Sequence, residues 1–339
     1  MEQSLQPIVE AIKSGKKVTF FQGAGISTNA GIPDFRSPKT GLYANLAKLN
    51  LPYAEAVFDI DYFRENPKAF YTLASELFPG KFMPTKYHYM LKLFQEKKLL
   101  QRVYTQNIDT LERLAGVDDE FIVEAHGSFA NCHCIECHSE MSTEELKKFI
   151  NEKKDSIPTC AKCEGYIKPD IVFFGEALPE RLFDKWDEDE DEIDVAIIAG
   201  TSLTVHPFAG LPEQLHRKTH RLLINKEPVG SFKHSKSTKD IVLLEDCDNV
   251  SQILCELLGW EKELESLIEK ERFKYQKPEL TAEDESKKIA NEIVKEERER
   301  KEEGKETKDE KDKNKEEDKD KAEADDTQDL EAHLDKLKI

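Results

Sequence analysis

One histidine and a run of polar side chains have the chemistry of an acid–base site. His126 follows one short apolar stretch of the sequence, and Gln106, Asn107 and Asp109 follow another. A lone histidine after a strand more often packs or caps than reacts, but three hydrogen-bonding groups beside it favour a chemical role. Because imidazole titrates near physiological pH, it accepts a proton from a hydroxyl without being permanently charged. The cluster therefore predicts a reaction site with His126 as its base.

Four cysteines form two pairs with the spacing of a metal site, Cys134-x-x-Cys137 and Cys160-x-x-Cys163. The loop between the pairs is slightly longer than in the usual zinc ribbon. Four thiolates fill a tetrahedral site and leave no position for water, so the predicted zinc is structural. A nucleic-acid zinc finger is the competing function, but acidic side chains among the lysines of this loop argue against its basic helix. Neighbouring residues remain alternative ligands: Cys132, His133 and His138.

A glycine-containing loop after the first apolar run is suited to a nucleotide. Glycines let the backbone turn tightly and bring its N–H groups close to a pyrophosphate. The dehydrogenase fingerprint requires a third glycine where Thr28 stands and then an unbroken helix, whereas Gly31-Ile-Pro33 breaks the helix. A hydride-transferring enzyme is therefore not predicted. The loop consists of Gly23, Ala24, Gly25, Ile26 and Ser27.

Six short aliphatic or β-branched runs alternate with helical patterns, which is typical of a mostly parallel sheet with helices on both faces. Ligands of such folds bind beyond the carboxyl ends of the strands. Small or polar residues follow every run, so the sequence predicts one shared site. Two further segments, 61–78 and 84–98, have helical spacing and are predicted to form a small lobe beside the sheet. The predicted strands are residues 17–21, 101–105, 121–124, 195–199, 221–224 and 241–244.

Seven motifs in a fixed order resemble those of the sirtuin family: GAGIS, GIPDFR, TQNID, HG, FGE, GTS and NKE. The resemblance runs from about Ser4 to Trp260, and TQNIDTLERLA, KPDIVFFGE and ELLGW are similar to the branch with the cytoplasmic human and fungal members. The implied fold is a Rossmann-like, mostly parallel α/β sheet with an inserted helical lobe and a small zinc-ribbon-like module. The expected catalytic domain covers residues 1–270, with the insertion at about 41–98 and the zinc module at about 128–170. A charged, largely disordered tail is expected over residues 271–339.

The resemblance implies NAD-dependent removal of acetyl groups from protein lysines. The acetyl-lysine oxygen attacks the anomeric carbon of the nicotinamide ribose, nicotinamide leaves, and an alkylamidate forms. His126 then activates a ribose hydroxyl, which leads to O-acetyl-ADP-ribose and free lysine. Asn107 and Asp109 are the other implied catalytic residues, and they hold the ribose, the carboxamide and an ordered water. An ADP-ribosyltransferase and a non-catalytic NAD-sensing interaction protein are the alternative functions.

Further NAD contacts implied by the resemblance lie at the strand ends. Phe35 shields the anomeric carbon while Asp34 and Arg36 fix the loop over it; the alternative is a turn stabilised by Asp34 with a salt bridge from Arg36. Cys247 borders the adenine or is a small buried filler. Besides His126, Asn107 and Asp109, the implied NAD-binding residues are Gly23, Ala24, Gly25, Ile26, Ser27, Thr28, Asp34, Phe35, Arg36, Gln106, Ile108, Gly200, Thr201, Ser202, Asn225, Lys226, Glu227 and Cys247.

Two segments resemble the edges between which an acetyl-lysine peptide inserts as an extra strand. Recognition through main-chain hydrogen bonds implies loose sequence specificity, so acetylated proteins such as histone tails are the expected partners. The alternative for residues 171–174 is a core strand. The expected substrate-binding residues are Val172, Phe173, Phe174, Gly175, Glu176, Leu203 and Val205.

The resemblance also bears on the choice of acyl group. Sirtuins that prefer acidic acyl groups carry a Tyr-x-x-Arg pair in the helix after an Asn-Pro step. An ungapped count from Asn66-Pro67 places Ala74 and Leu77 at these two positions. Because neither side chain can pair with a buried carboxylate, neutral acyl chains are predicted to be preferred.

The composition of the 339 residues is acidic and uneven. The net charge is -19, and from about Lys277 onward the chain consists mostly of Glu, Lys and Asp, with few apolar residues. Such a surface disfavours direct binding to nucleic acid and favours basic partners. The sequence shows no signal peptide and no membrane-spanning stretch, and the clustering of its cysteines indicates metal binding in a reducing compartment. A cytoplasmic enzyme that shuttles to the nucleus, without membrane contact, is predicted.

The C-terminal end has the spacing of a leucine-rich nuclear export signal. This predicts nuclear export machinery as a partner, although a short amphipathic helix that docks on the enzyme has the same spacing. The residues concerned are Leu330, Leu334, Leu337 and Ile339.

Overall fold

The computed structural model describes residues 1–33, 51–77, 81–152 and 156–275. Residues Met1–Lys274 form one compact unit. Some predictions concern residues outside the described parts, namely the loop residues Asp34, Phe35 and Arg36, the charged tail and its leucine-rich end. Among the described helices, none has the length and apolar character that crossing a bilayer requires.

The described strands form two sheets. They are β1 (Val18–Gln22), β2 (Leu100–Thr105), β3 (Ile122–Glu124), β4 (Gly127–Cys134), β5 (Glu140–Met141), β6 (Ile167–Ile171), β7 (Val195–Ala199), β8 (His220–Ile224) and β9 (Asp240–Leu243). The larger sheet has the order β3-β2-β1-β7-β8-β9, and all its pairs are parallel. All six predicted strands are confirmed, with ends that differ by at most one residue. This is a doubly wound α/β fold, as predicted, and its strand order reverses between β1 and β7.

The described helices lie on both faces of the parallel sheet and beside the smaller sheet. They are α1 (Glu2–Lys13), α2 (Ile60–Glu65), α3 (Pro67–Leu77), α4 (Lys86–Glu96), α5 (Leu111–Leu114), α6 (Thr143–Glu152), α7 (Glu180–Asp189), α8 (Leu211–Gln214), α9 (Cys247–Leu258) and α10 (Glu261–Tyr275). In β1, Phe20 packs into the core that α1, α4, α9 and α10 share, and Phe21 packs against Trp186 of α7. Because both faces are covered, every residue of the central strands β1 and β7 is buried.

Helix α4 packs in the main core and not in a lateral lobe. Its side chains from Tyr87 to Leu91 are buried, as are Leu93 and Phe94, and they join the core formed with α1 and α9. A helix that is apolar on most of its circumference must be enclosed, so it covers the parallel sheet. The lobe predicted from the sequence is therefore formed in the described structure by α2 and α3.

The smaller sheet is antiparallel, with the order β5-β4-β6. Strand β4 begins directly after His126, and β6 leads into the segment predicted to bind substrate. Phe63 of α2 and Phe70 of α3 contact Phe173 beyond β6, with ring centroids 5.5 and 5.1 Å away. The small sheet and the helical lobe thus share one aromatic core beside the carboxyl edge of the parallel sheet.

Candidate active site

Two glycine-containing loops meet where the strand order reverses. The Gly25 N–H donates to the Gly200 carbonyl at 2.8 Å, which joins the loop after β1 to the loop after β7. A Cβ on Gly25 would lie 2.6 Å from Gly200 Cα, and Gly200 has a φ of +59°. Both positions therefore require glycine, one for close approach and one for its left-handed backbone. This is the point at which doubly wound folds bind nucleotides.

A cavity of about 700 Å³ opens at this point. Its wall combines groups from the ends of β1, β2, β7 and β8 with the segment that follows β6. Among the predicted residues, the wall includes Gly23, Ala24, Gly25, Thr28, Gln106, Asn107, Ile108, His126, Val172, Phe173, Phe174, Gly175, Glu176, Gly200, Thr201, Ser202, Val205, Asn225, Lys226, Glu227 and Cys247. The fold thus brings together residues spread over more than two hundred positions of the sequence.

His126 has one ring nitrogen held and one available. Its Nδ1 lies 3.2 Å from the Gln106 carbonyl oxygen, and because a carbonyl only accepts, Nδ1 carries the hydrogen. Burial is the main cause that lowers the pKa of His126 below its usual value. The ring is therefore neutral at physiological pH, and its Nε2 has a free lone pair with which to accept a proton.

Asn107 is oriented by a chain of hydrogen bonds. Its Nδ2 donates to Ser27 Oγ at 3.2 Å, and Ser27 Oγ donates to Asp109 Oδ2 at 2.7 Å. The other oxygen of Asp109 accepts the Leu111 N–H at 3.0 Å. Neither Ser27 nor Asp109 forms part of the cavity wall, so Asp109 reaches the cavity through Ser27 and Asn107.

The other strand ends are tied to one another. Gln106 Nε2 donates to Thr201 Oγ1 at 2.7 Å, which links the ends of β2 and β7 across β1. Asn225 N–H donates to the Leu243 carbonyl, and its Nδ2 donates to the Glu227 carbonyl at 2.9 Å. Cys247 borders the cavity although it is only 7% exposed, and burial raises the pKa of its thiol to about 12. Its thiol is therefore neutral.

The segment after β6 is bonded to two other parts of the wall. The Val172 N–H donates to the His126 carbonyl at 2.8 Å. The Phe174 N–H donates to the Phe58 carbonyl at 2.7 Å, and the Phe174 carbonyl accepts from Ile60 N–H at 3.1 Å. The segment is thus an edge beside the cavity and not a strand of the main core.

The wall also differs in detail from the prediction. Ile26 and Leu203 do not line it; Ile26 is buried in the main core, and Leu203 packs with the residues around α7. Phe58, Leu178 and Glu245 line it and were not predicted, because nothing local in the sequence distinguishes them from packing or surface residues. Ile171, His206, Pro207 and Asp246 also line it, and all lie within or beside segments that the sequence analysis selected.

One buried carboxyl group lies beside Asp109, the last member of the Asn107 chain. Glu112 is 1% exposed and accepts a hydrogen bond from Gln22 Nε2 at 2.5 Å. Glu112, Asp109 and a ring nitrogen of His88 offer atoms within 4.8 Å of one another. Burial raises the pKa of Glu112 to about 8, and the nearby Asp109 charge adds to the shift. Sequence reasoning missed Glu112, because a glutamate in a helical pattern usually faces solvent.

The four paired cysteines converge in the small sheet. Cys134 Sγ lies 3.4 Å from Cys163 Sγ, Cys137 Sγ lies 3.6 Å from Cys160 Sγ, and all four sulfurs lie within 4.8 Å of one another. A set of four sulfur donors at this separation fits one tetrahedral zinc ion with a structural role. Cys132 is not in the group, and its Sγ lies 3.7 Å from Thr143 Oγ1.

Comparison with known proteins agrees with this architecture. The profile of the Sir2 family matches residues 23–207. The chain is 63% identical to NAD-dependent protein deacetylase HST2 of Candida albicans over 82% of this chain and 84% of that protein. It is 55% identical to NAD-dependent protein deacetylase hst2 of Schizosaccharomyces pombe (78% and 79%) and 47% identical to NAD-dependent protein deacetylase sirtuin-2 of Danio rerio (80% and 76%). The chain therefore belongs to the Sir2 family, the sirtuins.

Proposed function

We propose that this chain is an NAD-dependent deacetylase of protein lysines, with His126 as its general base. The observation that carries the proposal is the bond from His126 Nδ1 to the Gln106 carbonyl, which leaves Nε2 free at a cavity at the switch point of a doubly wound sheet. The three relatives are named as NAD-dependent protein deacetylases, which supports the same reaction.

The cavity wall fits NAD in size and chemistry. Gly23 and Gly25 let the backbone of the loop after β1 approach the pyrophosphate closely, and Thr201, Ser202 and Asn225 suit ribose hydroxyls. Glu227 and Cys247 lie toward the β8 and β9 side, where the adenosine half would be held. NAD, when bound, supplies the ADP-ribose group that takes up the acetyl group, with release of nicotinamide. Asp34, Phe35 and Arg36 are proposed to cover it.

His126 transfers the proton, and Asn107 and Asp109 provide orientation. His126 Nε2 accepts the proton of a hydroxyl in the cavity, and its Nδ1–H bond to Gln106 keeps the ring in the required tautomer. Asn107 donates to Ser27, which leaves its amide oxygen free to accept from a bound group. Asp109 acts through Ser27 to hold Asn107 and is thus a positioning residue. We infer no change of protonation at Asn107.

The acetylated lysine enters between the segment after β6 and the loop after β7. Phe58, Phe173 and Val205 give this side of the cavity apolar walls, which suit the lysine stem and a neutral acyl group. The acidic composition favours basic segments such as acetylated histone tails, with repression of transcription as the consequence. Direct contact with nucleic acid or with membranes is not part of the proposal.

Mass spectrometry of an acetyl-lysine peptide incubated with the protein and NAD tests the reaction. We expect a peptide lighter by one acetyl group, together with nicotinamide and O-acetyl-ADP-ribose. An ADP-ribose adduct on a protein would instead favour the transferase alternative. An unchanged peptide with bound NAD would favour the non-catalytic alternative.

A cytoplasmic location with shuttling to the nucleus is proposed from the leucine-rich end of the chain. Deleting residues 329–339 is expected to move the protein toward the nucleus, which fluorescence microscopy of a tagged chain measures. An unchanged distribution would contradict the export signal. The matched control deletes a charged stretch of equal length, residues 306–316, and is expected to leave the distribution unchanged.

A further inference from the structure

One lysine of the small sheet is almost completely buried. Lys168 lies on β6, and its side chain is 1% exposed. Its Nζ donates to the Pro169 carbonyl at 3.1 Å, to the Ile171 carbonyl at 2.6 Å and to Glu176 Oε2 at 3.0 Å. An ammonium group has three hydrogens, and all three have an acceptor. The ammonium thus joins the end of β6 to a carboxylate eight residues further along the chain.

The same carboxylate oxygen and the same ammonium both contact Phe173. Glu176 Oε2 accepts the Phe173 N–H at 2.7 Å, and Lys168 Nζ lies 4.4 Å from the centroid of the Phe173 ring. The ring also packs edge-on against Phe58, with centroids 5.9 Å apart. We name Lys168, Glu176 and Phe173 the lysine clamp. It fixes both the backbone and the ring of a residue that lines the cavity.

The clamped segment is bonded directly to the residue proposed as the base. Val172, which lies between Ile171 and Phe173, donates its N–H to the His126 carbonyl. A change in the path of Ile171–Phe173 would therefore change the width of the cavity next to His126. Lys168 and Glu176 hold this path from within the protein, through their bonds to the Ile171 carbonyl and the Phe173 N–H.

A buried ion pair is not an efficient source of stability. Removing two charges from water costs several kcal/mol, and well-packed apolar side chains often replace such a pair at no loss. The contribution of this pair is therefore geometric. Three directional hydrogen bonds from Lys168 fix the position of the chain, whereas apolar contacts would fix it less tightly. The same argument implies that neutral side chains at both positions 168 and 176 are compatible with folding. When Lys168 alone is replaced, the Glu176 carboxylate loses its partner but keeps some contact with water, since its side chain is 25% exposed.

We propose that Lys168 is a positioning residue that holds residues 171–176 in the shape that receives the acyl-lysine substrate. This inference rests on the proposed deacetylase function. Lys168 does not line the cavity, so it acts on the substrate only through Phe173 and Glu176. Its loss should weaken the binding of the peptide and leave the binding of NAD unchanged.

Steady-state kinetics of Lys168→Met and Lys168→Arg test the proposal. We expect Lys168→Met to raise KM for an acetyl-lysine peptide about tenfold and to change KM for NAD less than about twofold. Lys168→Arg keeps the charge and the donors, and we expect it to restore KM for the peptide to within about threefold of the wild-type value. Zinc content and thermal unfolding establish that each variant is folded.

Arg102→Met is the matched control. It breaks another buried ion pair, in which Arg102 Nε lies 2.7 Å from Asp189 Oδ2, far from the cavity wall. It is expected to lower the melting temperature and to leave both KM values unchanged. If Arg102→Met raised the peptide KM as much as Lys168→Met does, the rise would reflect a general loss of stability and not the loss of the clamp. That result would overturn the proposal.

Should Lys168→Met fail to fold, the double variant Lys168→Met/Glu176→Gln removes both charges and leaves no unpaired carboxylate. We expect it to fold and to show the same selective rise in peptide KM. An unchanged peptide KM in either folded variant would overturn the proposal. A wild-type protein without deacetylase activity would instead defeat the proposed function, and the two failures are thus distinguishable.

Discussion

Buried charges behind the two sides of the cavity are balanced in opposite ways. The proposed substrate side is the segment after β6, and the proposed nucleotide side is formed by the loops after β1 and β2. On the substrate side, the lysine clamp pairs one ammonium with one carboxylate and satisfies every ammonium hydrogen. On the nucleotide side, Asp109 and Glu112 lie together with His88, a group that we name the acidic cluster. Burial lowers the pKa of His88 to about 3, so its ring brings no positive charge. One side is balanced by an ion pair, and the other can be balanced only by a proton or a cation.

The acidic cluster is consistent with one shared proton. Asp109 has two donors, Ser27 Oγ and the Leu111 N–H, which stabilise its ionised form, although burial raises its pKa. Glu112 has the higher tendency to stay protonated because it is more deeply buried and faces the Asp109 charge. Among the described residues, Glu112 also interacts electrostatically with Glu124 and Tyr87, and neither supplies a positive charge. Because the acidic cluster has no cation to balance it, we expect a rise in pH to ionise Glu112 and so to disturb the cavity on its nucleotide side.

The largest expected effect comes from the residue between the two sides. His126→Ala removes the proposed base, and we expect the deacetylation rate to fall by about a thousandfold or more. The backbone bonds of His126 to the substrate segment remain, so NAD binding and the fold should persist. Rates by mass spectrometry and NAD binding by calorimetry measure this. Substantial turnover in a folded His126→Ala protein would contradict the mechanism.

The second effect concerns the zinc module, which belongs to the substrate side. Cys160→Ser removes one of four sulfur ligands and is expected to release zinc and to loosen the sheet that carries β6. Peptide turnover should be lost before NAD binding, because the parallel sheet has its own core. Metal analysis and the two binding measurements test this. Cys132→Ser is the control, and a metal loss there instead would show that the ligand set is wrong.

The third effect tests whether the substrate side offers a positively charged group that can pair with an acidic acyl chain. We expect kcat/KM for a succinyl-lysine peptide to be about a hundredfold below that for the acetyl-lysine peptide, because a carboxylate in this channel loses hydration without gaining a partner. Ala74, at one of the two positions that the ungapped count selects, is buried and apolar, and the donors of Lys168 are already used. The side chain of Leu77 lies outside the described residues. A succinyl value equal to or above the acetyl value would show that the comparison of positions is wrong.

The smallest expected effect is a change in pH dependence. Above pH 8, Glu112 ionises beside Asp109, and the two like charges should disturb the bond from Asp109 to Ser27 that orients Asn107. Glu112→Gln mimics the protonated side chain, so we expect wild-type activity near pH 7 and a severalfold higher rate than wild type at about pH 9. Glu96→Gln, an exposed glutamate of α4, is the control and should follow the wild-type profile.

Stability gives the same test a second readout. Burial raises the pKa of Glu112 in the folded protein above its usual value, to about 8. Stability from this group is therefore fully present below about pH 4.5, and it is lost as the pH rises toward about 8. Glu112→Gln should thus gain stability relative to wild type as the pH rises through this window, which chemical unfolding at several pH values measures. A second bound metal equivalent that Glu112→Gln removes would show that a cation, and not a proton, balances the cluster.

Local patterns in the sequence determined much of this protein. Aliphatic runs of the right length predicted the six parallel strands, because a strand buried on both faces is apolar throughout. The residues that follow these runs predicted the cavity wall, because the carboxyl ends of parallel strands meet at one edge. The paired spacing of Cys134, Cys137, Cys160 and Cys163 predicted the zinc ligands, since two Cys-x-x-Cys pairs are typical of a zinc site.

Only the tertiary structure decided where the charged residues lie. Lys168 and Glu112 stand in the sequence as ordinary solvated charges, and each becomes buried because distant segments cover it. The pairing of Lys168 with Glu176, and the contact of Glu112 with Gln22 ninety residues away, depend on that packing. Likewise, α4 packs in the main core because the apolar residues around most of its circumference are buried against the sheet and its helices. The sequence itself shows which side chains are apolar. The burial and the partners of an ionisable side chain, which decide its protonation state, depend on contacts between segments far apart in the chain.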